Sequence, residues 1–141
     1  MKGPTIIGKP AILVVDDNRE WVERLEFSLG DQYRVVTTTD LKAADRIVKE
    51  QGPGVMLLDW EIARRDPQRA RSGFTAADGN ALPVILTTGF ERPEVRNIAE
   101  LIGGCIAIVE RMDTLEELRR EIAKVFACSA GGGRRMRAGG S

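Results

Sequence analysis

The sequence predicts an α/β fold, a five-stranded parallel sheet with helices on both faces, from three observations. Five short runs of consecutive apolar, largely β-branched residues recur along the chain. Stretches with helical apolar spacing separate most of them, and the runs end abruptly in carboxylate, hydroxyl or guanidinium side chains. Continuous apolar runs are what strands buried on both faces require, and alternation with helices implies right-handed crossovers between parallel neighbours.

Residues 11–15 (AILVV) form the first such run. Trp21, Val22, Leu25 and Leu29 then mark one face of a helix over residues 18–29, closed by Gly30. Residues 33–38 read as a second strand. Asp40 can cap a helix carrying Leu41, Ala44, Ile47 and Val48, which ends near Gly52, Pro53 and Gly54. Residues 55–58 make a third strand and residues 84–87, after Pro83, a fourth. A helix over 91–102 has Pro93 in its first turn and Gly103–Gly104 behind it. Residues 105–109 form a fifth strand. Thr114 through Glu117 is a capping box opening a last helix to about Ala127. Between Asp59 and Pro83 the periodicity fails, and a long loop with a short helix around residues 74–77 is expected. The organisation is one domain over 10–127 and a flexible Gly/Arg-rich tail over 128–141.

Composition narrows the function. The chain has 141 residues, 43% of them hydrophobic, with 21 basic against 21 acidic side chains. That supports one packed core, and the balanced charge gives no footprint for nucleic acid or an anionic membrane. Arg134, Arg135 and Arg137 in the tail lack the aromatics and fold of a nucleic-acid binder. There is no histidine, which removes His-based nucleophile pairs and His-ligated metal sites. Cys105 and Cys128 make neither a disulfide framework nor a zinc spacing, and no run is long enough to cross a membrane. A cytoplasmic protein is expected.

In parallel sheets of this kind chemistry gathers beyond the carboxyl ends of the strands. Those ends carry Asp16 and Asp17, Asp59, Thr88, and Glu110 with Arg111. Converging carboxylates repel one another, and a hard cation such as Mg²⁺ relieves that repulsion. Beside a cation, Asp59 can act as a nucleophile on a phosphoryl group while Thr88 hydrogen-bonds one of its oxygens. Each residue has a structural reading as well: Asp16, Asp17 or Asn18 can cap the first helix, Asp59 can start a turn, and Thr88 can be an ordinary strand residue.

The segments ILVVDDN, VMLLDWE and LPVILTTG, with the later IAIV strand and LEEL helix, resemble the receiver domain of bacterial response regulators over about residues 10–127. The resemblance implies a flavodoxin-like (βα)₅ sandwich. It implies that Asp16 and Asp17 are the acidic pair holding Mg²⁺, together with Asp59 and the backbone carbonyl of Glu61. Asp59 is then the phosphoryl acceptor and Thr88 the switch hydroxyl. It further implies a histidine kinase or phosphotransfer protein as donor, a downstream protein target, and no catalysis beyond the domain's own phosphorylation and dephosphorylation. A homodimer or partner interface is expected on the face of the fourth helix, where Phe90 and Val95 read as exposed.

The chain departs from the family in its second half. The lysine that the family carries at the end of the fifth strand is missing. Spacing from Thr88 puts Glu110 there, and spacing from the last helix puts Arg111 there as the lysine substitute. The aromatic switch residue of that strand is replaced by Ala107 or Ile108. A single-domain receiver in phosphorelay signalling is the leading expectation. The alternatives are a pseudo-receiver acting as a phosphorylation-independent interaction module, and a small Mg²⁺-dependent phosphohydrolase, which lacks an evident general acid or base beside Asp59.

Overall fold

The computed structural model describes residues 8–90, 92–111 and 115–130. The strands are β1 (Ala11–Val15), β2 (Arg34–Thr38), β3 (Met56–Asp59), β4 (Val84–Thr88) and β5 (Cys105–Glu110). The helices are α1 (Arg19–Leu29), α2 (Leu41–Gln51), α3 (Trp60–Arg65), α4 (Pro67–Ser72), α5 (Pro93–Leu101) and α6 (Leu115–Ala130). All strand pairs are parallel, in the spatial order β2-β1-β3-β4-β5. This is the doubly wound arrangement, and its winding reverses between β1 and β3.

Side-chain parity splits the core into two layers. Leu13, Val15, Met56, Leu58, Val84 and Leu86 face one side and pack against α2 to α5. Ile12, Val14, Leu57, Ile85 and Val109 face the other, against Trp21, Leu25 and Leu29 of α1 and Leu118, Ile122 and Val125 of α6. Right-handed crossovers dictate that division: the chain moves one way along the sheet after β1 and the other way after β2.

Local chemistry sets the boundaries. Asn18 caps α1 by accepting from the Trp21 amide at 3.1 Å, and Asp40 caps α2 by accepting from the Ala43 amide at 2.8 Å. Gly52 ends α2 in the left-handed region at φ 63°. Gly103 and Gly73 meet backbone to backbone, so that a Cβ on Gly103 would lie 2.8 Å from the Arg71 carbonyl oxygen.

Three expectations need correction. The segment after Asp59 is not a loop with a helix at 74–77 but two six-residue helices, α3 and α4, followed by a narrow turn closed by an antiparallel bridge between Thr75 and Ala81. Trp60, Ile62, Ala63 and Ala70 bury its apolar content, and Asp66–Pro67 supplies the break between the helices. The last helix runs past Ala127 to Ala130, because no glycine interrupts it before Gly131. Val95 is fully buried in the core, whereas Phe90 is 64% exposed. Thr114, expected as a cap, and residues 131–141 of the tail lie outside the described residues. No helix among the described residues is long and apolar enough to cross a membrane.

Candidate functional site

Asp16 follows β1 and Asp59 closes β3, on either side of the point where the winding reverses. By strand parity both project toward the Trp21 layer, continuing Ile12–Val14–Asp16 and Leu57–Asp59. Neither carboxylate caps a helix. The Asn18 side chain caps α1, and Asp16 instead accepts from the Asn18 amide at 2.9 Å. Asp59 stands at the N-cap position of α3 without a side-chain capping bond. Asp16 and Asp59 are buried, Asp17 is exposed, and one oxygen from each of the three lies within 4.8 Å of the others.

Arg111 enters this cluster from one residue beyond β5. Its backbone N–H donates to the Thr88 carbonyl at 2.7 Å, extending the ladder a step past the Thr88–Glu110 pair. Strand alternation therefore places Arg111 on the same face as Val109 and Trp21, and Glu110 on the other. Arg111 Nη2 donates to Asp16 Oδ2 at 2.9 Å and also to Asp59 Oδ1. The guanidinium lies 5.8 Å from the centre of the Trp21 ring. Of the two alternatives for the missing lysine, Arg111 reaches the carboxylates.

Burial, then the neighbouring Asp16 charge, push the Asp59 carboxyl up to about 6, against the opposing pull of Arg111. The Asp16 carboxyl is raised as well, chiefly by burial, with Asn18 and Arg111 acting the other way. Two buried carboxylates sharing one guanidinium are thus incompletely compensated. Three hard oxygen donors converging on one point, with charge to spare, match the ligand chemistry of Mg²⁺.

Thr88 is buried, and its hydroxyl donates to the Phe90 carbonyl at 2.8 Å and accepts from the Phe90 amide at 3.3 Å. Glu61 opens the first turn of α3, with its carboxylate 3.9 Å from Arg65, which also lies 3.7 Å from Asp17. Ala107 and Ile108 pair with Ile85 and Leu86 and place no aromatic ring on β5. Two participants escaped the sequence reading. Trp21 read only as a core residue of α1. Arg65 falls in the segment expected as a long loop, and no spacing links it to Asp17. Trp60, next to Asp59, is contacted by Arg64 and Arg92, each 5.1 Å from its ring centre.

The model of the response regulator receiver domain matches residues 12–123, and the chain belongs to that family. Among solved structures, it is similar to a response regulator from Thermotoga maritima, with a TM-score of 0.68 and 14% identity over 84% of this chain and 98% of that one. It is also similar to the signal receiver domain of a modulated diguanylate cyclase from Desulfovibrio desulfuricans G20, with a TM-score of 0.67 and 20% identity over 89% and 99% of the two chains. A LuxR-family DNA-binding response regulator from Staphylococcus aureus gives 0.62 and 20% over 82% and 98%. No curated protein matches the chain. At these identities the structural likenesses speak for the fold.

Proposed function

We propose that this receiver domain accepts a phosphoryl group on Asp59 in phosphorelay signalling, with Mg²⁺ held by Asp16, Asp17, Asp59 and the Glu61 carbonyl. The observation that carries the proposal is the Asp59 carboxylate itself: buried at the end of a central strand, free of any capping duty, and next to a second carboxylate and a guanidinium. Bound there, the metal supplies charge neutralisation for the transferring oxygens. A carboxylate oxygen of Asp59 attacks phosphorus in line, the bond from phosphorus to the donor's leaving atom breaks with its electron pair, and an aspartyl phosphate results. Arg111 offers further N–H groups to an anion at that position, more than a lysine ammonium would. The donor is a histidine kinase or phosphotransfer protein, and the domain turns over nothing except its own phosphoryl group.

A downstream protein or a second copy of the chain is received at the α5–β5 face. A groove of about 530 Å³ there is lined by Arg96, Glu100, Ile106 and Ile108, among others, and Ile106 is 51% exposed. Cys105 and Cys128 are free thiols, which fits the reducing cytoplasm that goes with this reading.

The competing reading is a phosphorylation-independent interaction module. Two observations favour it: the Thr88 hydroxyl is bonded to Phe90, and β5 carries no aromatic partner for a switch. Incubation with acetyl phosphate, with and without Mg²⁺, followed by intact-protein mass, separates the two. A Mg²⁺-dependent gain of one phosphoryl group in the wild type, absent in Asp59→Ala, is the expected result. No gain at any Mg²⁺ concentration favours the interaction module.

A further inference from the structure

We infer that Arg111 is a tethered cation competing with Mg²⁺ for the Asp16–Asp59 pair, so that the ion enters only by displacing the guanidinium. The inference rests on the metal reading of the site and not on phosphoryl transfer. A single nitrogen, Nη2, bonds both carboxylates, so the guanidinium occupies the space between them. An octahedral ion needs its oxygens at about 2.0–2.1 Å and cannot take these same lone pairs while the guanidinium holds them. Two cations side by side also repel.

The tether is built to let go at one end. Nη2 makes both bonds to the carboxylates, while the buried Nε finds no hydrogen-bond partner among the described residues. The rest of the group is steadied by the Trp21 ring rather than by a second carboxylate fork. The Arg111 side chain is 20% exposed, so it has a route outward that Asp16 and Asp59, both nearly sealed, lack. Arg111 thus compensates the carboxylates in the absence of metal and sets the Mg²⁺ concentration at which the site fills.

Calorimetric titration of MgCl₂ at pH 7 into wild type, Arg111→Met and Arg111→Gln tests this. Both variants are expected to bind Mg²⁺ at least about tenfold more tightly, and Arg111→Lys, which keeps a tethered charge, to stay within about threefold of wild type. Arg111→Gln keeps a polar group for the carboxylates, so the test survives if the methionine variant does not fold. In Trp60→Phe, which leaves Trp21 as the sole indole, Mg²⁺ is expected to change the emission as the guanidinium leaves the ring. Equal or weaker Mg²⁺ binding in both neutral variants overturns the inference, as does an unchanged Trp21 emission at saturating Mg²⁺. Absence of Mg²⁺ binding in wild type and variants alike instead overturns the metal reading beneath it.

Discussion

The two sides of the site make opposite use of the same device, a strand ending at the surface. On the β1–β3 side the strand ends deliver Asp16 and Asp59, buried, uncapped and short of positive charge. On the β4–β5 side they deliver Thr88, engaged with its own loop, and Arg111, which reaches across to the carboxylates. The first side carries the residues to which the proposed function assigns phosphoryl acceptance. The second lacks the family's lysine and aromatic ring and supplies in their place a longer, forked cation. On the proposed function, the carboxylate side keeps the acceptor chemistry while the side opposite it is rebuilt.

The largest expected effect falls on the carboxylate side. Asp59→Asn removes the nucleophile, and the phosphoryl adduct is expected to vanish from the intact mass. In EDTA the same variant is expected to be more stable than wild type at pH 7 by about 2 kcal/mol, because it removes a charge that burial disfavours. Chemical denaturation measures that difference.

Next in size is Arg111→Met in EDTA. Leaving Asp16 and Asp59 without their guanidinium is expected to cost about 3 kcal/mol at pH 7, part of which saturating Mg²⁺ restores. A loss confined to a few tenths would show that the two sides of the site are not electrostatically linked.

The pH dependence carries a definite sign. The Asp59 carboxyl rises from 3.8 to about 6 on folding, so between those values the folded chain keeps a proton that the unfolded chain has released. Metal-free stability contributed by this group is therefore full below about pH 4, falls as pH rises to about 6, and levels off above. Asp16, also raised, adds in the same direction. Asp59→Asn is expected to flatten most of this slope in denaturation curves taken across the window.

On the switch side the effects are smaller. Thr88→Ala loses the hydroxyl's bonds to Phe90 and is expected to cost about 1 kcal/mol while leaving Asp59 phosphorylatable. Failure of the adduct to form in that variant would place Thr88 with the acceptor half instead.

The sequence showed the carboxylate side far more plainly than the switch side, for physical reasons. AILVV and VMLL are apolar at every position because both faces of a central strand are covered, so the aspartates that end them stand out. At β5 the pattern CIAIVE carries no clear alternation, and an irregularity lies at its start, where Val84 pairs with Cys105 but Ile85 with Ala107. Which of Glu110 and Arg111 faces the carboxylates depends on parity, and parity is what such a pattern hides. The α3–α4 segment was missed because six-residue helices are shorter than the periodicity that reveals a helix. Val95 looked exposed because it neighbours charged residues, although its face of α5 closes on the core.

The most direct test of the account is to locate the phosphoryl group chemically. Wild type treated with acetyl phosphate and Mg²⁺ is reduced with borohydride, which converts an aspartyl phosphate to homoserine, and the digest is mapped by mass spectrometry. Homoserine at position 59, with Asp16 and Asp17 intact, is the predicted result. A modified residue elsewhere, or an unmodified Asp59 in protein that demonstrably binds Mg²⁺, would contradict it.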